Sequence, residues 1–500
     1  MQNRFAPAIA ANRFGLGARP GELAGIGGDP RGWLVEQLKG GAPLFADTGL
    51  RTSQDILAET LELRRDKREA RRASRGAPTE TSLPVQPSSP GAAATDASSP
   101  RDMSPDKPVD SRVLKPEVVK LGQLYRPIYI DEVTARLRQA VSTERPFVER
   151  LTQFWTNHFA VSIDKAAVLG LAGTLEREAI RPNVLGTFSD LLLAVEHHPA
   201  MLLYLDNHLS VGQHSRAARL LARRQTERQI GINENLAREI LELHTLGVAG
   251  GYSQKDVTTF AEVLTGWSIG GNTGRFNRGE PGKFTFRPEV HEPGAKTLLG
   301  KRYSEGDESE GVAVLRDVAA KPATAKFIAT KLARHFIADD PPPEAVEHLA
   351  KAFVQGRGDL ATVYRALVDL PAAWAQPFAK FKTPNDYVVS TFRGLQHPVQ
   401  SGRGGIASFE VLGQRTYSPG SPAGWPDRGA DWDGASALMK RIEWADAIGQ
   451  RLGAHVSAAD LAPGLLGDTL SDETRTAIAR AASGAQALTL LLTAPEFLRR

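Results

Sequence analysis

The residues best suited to chemistry lie at positions 231–267, GINENLAREILELHTLGVAGGYSQKDVTTFAEVLTGW. At about 100° per residue, a helix that begins after Asn233 places Asn235, Glu239 and Glu242 along one side, at i, i+4 and i+7. Two carboxylates beside an amide can act as general acid and base, or supply oxygen ligands to a hard metal ion. We therefore take Glu239 and Glu242 as candidate catalytic residues and Asn235 as an orienting amide.

The same helix also has a purely structural interpretation. Glu234, Arg238 and Glu242 stand four residues apart, so they can form ion pairs on a solvated face, each contributing roughly a few tenths of a kcal/mol. Asn233 then caps the helix, because its short side chain accepts a hydrogen bond from a free backbone N–H. The sequence alone leaves both interpretations open.

Two histidines, His158 and His244, project from apolar helix faces. Such histidines are commonly neutral, hydrogen-bonded core residues. Alternatively, if the two helices pack together, the imidazoles converge with Glu239 or Glu242 into a nitrogen and oxygen site for zinc, iron or manganese. Glu239 and His244 lie five residues apart, on opposite sides of one helix, so a catalytic histidine is expected from another helix. His158 is the first candidate, and His291 is the second.

Aromatic and amide side chains also stand together in several segments, and they suggest a ligand. Indole faces and amide groups bind hydroxyl-rich molecules well, which predicts a polar or sugar-like ligand. The alternative is that these residues only fix helix ends and loop turns. The candidate ligand-binding residues are Trp155, Asn157, Asn207, Asn233, Asn235, Trp267 and His291. No metal or cofactor is identified by these residues, and no HExxH or P-loop motif is present.

The elements that must position these residues are mostly helices. Apolar residues recur at helical spacing over 147–159 and 253–264, with Ser253 as a natural N-cap and Gly266 at the helix end. Strand patterns are confined to 283–303, where FTFRPEVH and KTLLGKRY flank Glu292, Pro293 and Gly294. The sequence predicts a mainly α protein, a large multi-helix bundle-like body with a small β-hairpin near residues 283–303.

Composition divides the chain into three parts. A basic run at 64–75 contains seven basic and two acidic residues, and a Pro-, Ser- and Ala-rich tract follows it. Such a tract cannot bury enough apolar surface to offset its ordering entropy, so we expect a disordered insertion at 66–112. The remaining parts are an N-terminal helical segment at 1–65 and a main helical domain at 113–500.

Charge and cysteine content exclude several classes of protein. The net charge is +4, and the basic run accounts for a surplus of five. Because the basic stretches lack the interleaved aromatics that stack bases, no nucleic acid partner is expected. The chain has no cysteine, which excludes disulfides, thiolate metal sites and a cysteine nucleophile.

The N-terminal sequence carries no export pattern. Arg4 and Arg13 interrupt the apolar core that a signal peptide needs, and no later segment has eighteen uncharged apolar residues, so no transmembrane segment is expected. We expect a cytoplasmic protein, with a periplasmic location through co-export as the alternative.

Several long segments carry a family resemblance. The sequence resembles the bacterial family called domain of unknown function 1800 in ANRFGLGARPGE at 11–22, FWTNHFAVS at 154–162, HPAMLLYLDN at 198–207, NENLAREILELHTLGV at 233–248, YSQKDVTTFAEVLTGW at 252–267, HEPGAKTLLG at 291–300, KLARHF at 331–336, FKTPNDYVVSTFR at 381–393 and SPAGWPD at 421–427. The resemblance implies a helical protein of unresolved activity. Such proteins are often encoded beside members of domain of unknown function 1501, which look like secreted relatives of sulfatases and alkaline phosphatases.

Two hypotheses about function follow. In the first, the protein is an enzyme that uses Glu239, Glu242 and His158 on a polar or sugar-like substrate. In the second, which the resemblance implies, it is a non-enzymatic binding or accessory partner of a family 1501 protein.

Overall fold

The fold is mainly α-helical, as the sequence predicts. The computed structural model describes residues 4–46, 49–76, 116–223, 231–271 and 279–500. In the first half of the chain the helices are α1 (Ala6–Ile9), α2 (Glu22–Ile26), α3 (Pro30–Glu36), α4 (Ser53–Gly76), α5 (Pro116–Ser142), α6 (Pro146–His158), α7 (Ala172–Thr174), α8 (Phe188–His197), α9 (Pro199–Tyr204), α10 (Arg216–Ala222), α11 (Asn235–Glu239) and α12 (Gln254–Leu264).

The second half continues the helical body. Its helices are α13 (Glu308–Ala319), α14 (Pro322–Phe336), α15 (Pro343–Gln355), α16 (Leu360–Asp369), α17 (Pro384–Gly394), α18 (Gly402–Leu412), α19 (Ala435–Leu452), α20 (Ala458–Leu466), α21 (Asp472–Ala479), α22 (Gly484–Thr493) and α23 (Pro495–Leu498). Wider π-helical turns occupy Ala10–Phe14, Leu175–Ile180 and Ile240–Thr245, and short 3-10 turns occupy Arg181–Asn183, Asn207–Leu209, Pro371–Trp374, Gly429–Asp431 and Gly467–Thr469.

The β structure lies around the expected region but pairs differently. β1 (Trp267–Ile269) pairs antiparallel with β2 (Phe284–Phe286), and β3 (Lys296–Leu298) pairs with β4 (Lys301–Tyr303). The predicted pairing of FTFRPEVH with KTLLGKRY is therefore wrong. Leu299 and Gly300, both with positive φ, close a two-residue turn inside KTLLGKRY itself, which suits a tight hairpin.

The helix starts follow local sequence chemistry. Ser253 is the N-cap of α12, as predicted, and it forms a reciprocal capping box with Asp256. α6, α14 and α17 each have proline in the first turn, where its missing N–H costs no helical hydrogen bond. These three helices carry Arg150, Gln153, Asn157, His335 and Asp386, which are considered below.

Two hydrophobic cores hold the helices. The larger core joins buried residues between Ile9 and Trp374 with Tyr417. The smaller core joins residues between Phe381 and Leu498 with Leu16, Leu137 and Ala140. The N-terminal segment thus packs into the same cores as the main part of the chain.

The predicted disordered insertion at 66–112 falls largely outside the described residues, since only α4 extends into it. None of the described helices combines the length and the apolar character that a membrane-spanning segment requires.

Candidate functional site

A cavity of about 100 Å³ lies where the two cores meet. This volume holds several water molecules or a small polar molecule. Its wall comes from α6, from His335 on α14, from the start of α17, from the loop 414–427 and from Arg500. The cavity therefore collects polar side chains that are distant in the sequence.

One face of α6 points into this cavity. Arg150, Gln153 and Asn157 stand at i, i+3 and i+7, and all three line it. Val148, at the other side of the same helix, is fully buried in the larger core. The amphipathic pattern of α6 thus separates a packing face from a polar cavity face.

Asn157 fixes the loop that closes the cavity. Its Nδ2 donates to the carbonyl of Trp425 at 2.9 Å, and its Oδ1 accepts from the N–H of Trp425 at 2.7 Å. Gly424, with φ +84°, leaves room for this contact, because a Cβ there would lie 2.2 Å from the Asn157 carbonyl oxygen. Asn157, a predicted ligand-binding residue, lines the cavity, but both ends of its amide are already bonded to the loop.

That loop brings Asp427 beside His335. The His335 Nδ1 and an Asp427 carboxylate oxygen are 3.8 Å apart, which is too far for a hydrogen bond. Lys331, one helical turn before His335, lies 4.0 Å from the other oxygen. Both members of the pair are largely buried, with side chains 15% and 16% exposed.

Burial sets the protonation of this pair. It lowers the pKa of His335 to about 4, with Arg500 acting in the same direction, so the imidazole is neutral at pH 7. Burial acts to raise the pKa of Asp427, but His335 and Lys331 outweigh it and lower this pKa to about 2. The buried His335 Nε2 has no hydrogen-bond partner within the described part of the chain. A neutral imidazole with a free ring nitrogen thus stands beside an ionised carboxylate.

Asp386, a buried carboxylate, also lines the cavity and lies between two arginines. Arg150 Nη1 is 3.0 Å from one of its oxygens and Arg500 Nε is 2.9 Å from the other. Burial acts to raise the pKa of Asp386, but the two guanidinium groups lower it well below its ordinary value. Thr383, the N-cap of α17, accepts from the Asp386 N–H at 3.1 Å and so fixes this residue in the first helical turn.

A third polar group centres on Glu176, in the π-helical turn Leu175–Ile180. Its carboxylate accepts from Arg136 at 2.8 Å and from Arg181 at 2.9 Å, and the Tyr417 hydroxyl donates to it at 3.0 Å. The arginines outweigh burial and lower the pKa of Glu176. This network supports the cavity wall from behind, since Arg136 and Tyr417 both line the cavity.

His158 and His244 lie close together, as one interpretation of the sequence predicted, but neither of them lines this cavity. Their ring centroids are 6.3 Å apart, and His158 Nε2 lies 3.1 Å from the His244 carbonyl oxygen. The carboxylate that joins them is Glu196 of α8, whose Oε1 is 2.8 Å from His244 Nδ1. All three side chains are buried, and burial lowers the pKa of His158 well below its ordinary value.

The predicted carboxylates lie on the other side of the helical segment that carries His244. Glu239 and Glu242 are both half-buried, and neither lines the cavity. Burial raises the pKa of Glu239, and the Tyr252 hydroxyl donates to Glu242 at 3.4 Å. Glu239 is the last residue of α11 and Glu242 lies in the π-helical turn Ile240–Thr245, so the 100° spacing of the helical wheel does not apply between them.

Asn233 and Asn235 stand at the start of the same helix. Asn235 is exposed, and its backbone N–H donates to Asn233 Oδ1 at 2.9 Å. Asn233 Nδ2 donates to the Leu205 carbonyl at 3.0 Å. These contacts are those of a cap and a loop anchor.

The predicted tryptophans pack within the protein. Trp155 is fully buried and its Nε1 donates to the Tyr364 hydroxyl at 2.6 Å. Trp267 is fully buried in β1, and its carbonyl accepts from Asn207 Nδ2 at 3.0 Å. Trp155, Trp267 and Asn207 thus hold elements together at these positions.

His291 belongs to a separate buried group. Its Nδ1 lies 2.7 Å from the Thr265 carbonyl oxygen, and its Nε2 lies 3.2 Å from Glu310. The Lys296 ammonium approaches the same carboxylate at 3.3 Å. Across the described ranges, no set of three or more His, Asp or Glu side chains is arranged to hold a metal ion.

The predicted site residues are therefore spread over several places, and only Asn157 lines the cavity. Sequence reasoning missed Gln153, His335, Asp386 and Asp427. One available signal was the polar stripe at 150, 153 and 157 of an amphipathic helix. Another was the resemblance itself, since FWTNHFAVS, KLARHF, FKTPNDYVVSTFR and SPAGWPD all supply cavity residues.

Comparison with known proteins gives a family but no function. The model of the family described as "Protein of unknown function (DUF1800)" matches residues 9–499. No curated protein and no solved structure matches the chain.

Proposed function

Because this chain belongs to the DUF1800 family, whose function is unknown, we propose an activity from the cavity itself. The protein is an enzyme that binds a small, polar, hydroxyl-bearing molecule there and uses His335 as a general base assisted by Asp427. The observation that carries this proposal is the free Nε2 of a neutral, buried imidazole beside an ionised carboxylate.

The proton transfer follows from this arrangement. His335 accepts the proton of a hydroxyl group, on the substrate or on a water molecule, and becomes an imidazolium. The Asp427 carboxylate, 3.8 Å away, stabilises that positive charge. The imidazolium then returns the proton to an oxygen atom of the product, which restores the neutral base. Positioned proton transfer of this kind accelerates reactions by about 10²–10⁴.

The remaining wall suits a hydroxyl-rich substrate. Trp425 offers an indole face and Gln153 offers an amide donor, a combination that binds sugar-like molecules. Asn157 acts as a positioning residue, because it holds the loop that carries Trp425 and Asp427. Catalytic roles for Glu239, Glu242 and His158 remain predictions from the sequence.

A second candidate function is the accessory role beside a family 1501 protein. One observation favours it: Leu438, Met439 and Ile442 expose 38%, 55% and 39% of their surface on α19. Exposed apolar groups that lie close together are typical of protein contacts. Co-purification of the two proteins tests this role, and a Met439→Lys variant that still co-purifies would count against α19 as the contact.

The enzyme proposal is tested by incubating the full chain with a mixture of sugars, sugar acids and sugar phosphates and following each compound by mass spectrometry. We expect wild type to consume at least one compound and Asp427→Asn to consume it more slowly. Compounds that bind but remain unchanged favour the accessory role. Consumption at equal rates by wild type and Asp427→Asn would contradict the proposal.

A further inference from the structure

The wall around Asp386 holds more buried positive than negative charge. Arg150 and Arg500 share its one carboxylate, and all three side chains are at most 6% exposed. The Lys382 ammonium lies close enough to interact electrostatically with these three side chains. Burial lowers the pKa of Lys382 to about 7, and both arginines act in the same direction. Buried positive charge without an equal negative charge is costly, so this region favours a bound anion.

A free hydrogen-bond donor stands on the same wall. Arg136 can only donate, so the Asn385 oxygen accepts from it at 3.2 Å. The Asn385 Nδ2 must then donate to Gln153 Oε1, at 2.8 Å. Gln153 therefore turns its Nε2 away from Asn385, and this buried donor has no partner among the described residues. These contacts therefore make Gln153 Nε2 a donor that has no acceptor among the described residues.

We propose that the ligand of this cavity carries an oxyanion, a carboxylate or a phosphate, that accepts from Gln153 Nε2 and lies against Arg150 and Arg500. This inference rests on the proposed function, because it names the chemical class of the same ligand. Together with the hydroxyl group that His335 would deprotonate, it specifies a hydroxy acid or a phosphorylated alcohol.

A bound oxyanion also adjusts the proposed base. Asp427 and Asp386 favour the protonated form of His335. Arg150 and Arg500 disfavour it. An added negative charge offsets the arginines and raises the pKa of His335 towards neutral pH, where a general base works best. Ligand binding would thus prepare the base for proton transfer.

The test measures anion binding without any turnover. Acetate and inorganic phosphate are titrated separately into the full chain by calorimetry, at constant ionic strength. Gln153→Glu is the informative variant, since it keeps an acceptor for Asn385 and replaces the free donor by a second oxygen. Gln414→Glu is the second variant. It lines the same cavity and keeps an acceptor for the Asn385 N–H, which Gln414 Oε1 now binds at 2.7 Å. Gln355→Glu, exposed at the end of α15, is the matched control.

We expect at least one anion to bind wild type and Gln355→Glu with the same Kd. Gln153→Glu and Gln414→Glu should each weaken binding about 10- to 100-fold, through a lost charged hydrogen bond or through repulsion. Tighter binding of acetate identifies a carboxylate, and tighter binding of phosphate identifies a phosphate. The inference is overturned if neither anion binds wild type, or if the variants that fold bind as wild type does.

These results are separable from those on catalysis. If wild type binds an anion, the variants do not bind it and no compound is consumed, the oxyanion site is supported and the enzyme proposal is rejected. Turnover without anion binding would support the enzyme proposal and reject the oxyanion site.

Discussion

Asn157 holds Trp425 through both ends of a single side-chain amide. The Trp425 carbonyl accepts from Nδ2 at 2.9 Å and its N–H donates to Oδ1 at 2.7 Å, across 268 residues of sequence. A backbone N–H only donates and a carbonyl only accepts, so this pair of contacts requires an amide. The loop that carries Asp427 to His335 depends on it.

Replacing Asn157 by Asp should therefore destabilise the protein. The carboxylate still accepts from the Trp425 N–H, but the Trp425 carbonyl loses its donor and faces a negative charge. We expect a loss of about 1–3 kcal/mol in the free energy of unfolding, measured by urea titration. Asn235→Asp, on the exposed start of α11, is the control and should change little. Equal effects of both variants would contradict the role of Asn157.

Gly424→Ala tests the other side of the same contact. An added Cβ would lie 2.2 Å from the Asn157 carbonyl oxygen, and the φ of +84° is unfavourable for alanine. We expect a loss of more than about 1 kcal/mol and weaker ligand binding in the cavity. Gly420→Ala, in the same loop with no atom within 4 Å of its Cβ, should leave stability near wild type.

Glu176→Gln should strongly destabilise the cavity wall. The change leaves the buried Arg136 and Arg181 with one fewer negative charge, and breaking a buried ion network typically costs about 3–5 kcal/mol. Glu59→Gln removes a partly exposed ion pair with Arg51 and should cost at most about 1 kcal/mol. Thermal or urea unfolding measures both, and a Glu176 variant as stable as the Glu59 variant would be inconsistent with the network.

The pKa of His335 predicts how stability depends on pH. Between pH 6.5 and about 4, the unfolded chain binds a proton at this histidine and the native protein does not. The free energy of unfolding therefore falls as the pH falls through this window, by about 3 kcal/mol from this group. Other buried histidines contribute equally to wild type and to His335→Gln, so the difference isolates His335.

Urea titrations at several pH values measure this effect. His335→Gln should lose about 3 kcal/mol less than wild type between pH 6.5 and 4. His348→Gln, exposed on α15, should follow wild type. Parallel pH curves for wild type and His335→Gln would show that His335 is not buried in its neutral form.

Much of the fold follows from local sequence, and much of the cavity does not. The N-cap at Ser253 and the helix over 253–264 depend on neighbouring residues, so they could be predicted. The π-helical turn at Ile240–Thr245, in which Glu242 lies, could not, because nothing in the local apolar spacing signals a wider turn.

The cavity depends on tertiary contacts. His335 and Asp427 are brought together by an amide on α6 and by the docking of two cores, and no local pattern specifies that meeting. The helical spacing of Arg150, Gln153 and Asn157 could be recognised in the sequence. The residues of other elements that face them in the cavity could not be.

The most direct test of the account is the rate at which His335→Gln converts the compound that wild type consumes. His197→Gln is the matched control, because burial lowers the pKa of His197 to about 4 as well and this residue does not line the cavity. We predict that His335→Gln lowers kcat by about 10²–10⁴ and still binds the compound, while His197→Gln keeps the wild-type rate. An unchanged kcat in His335→Gln would contradict the assignment of His335 as the general base.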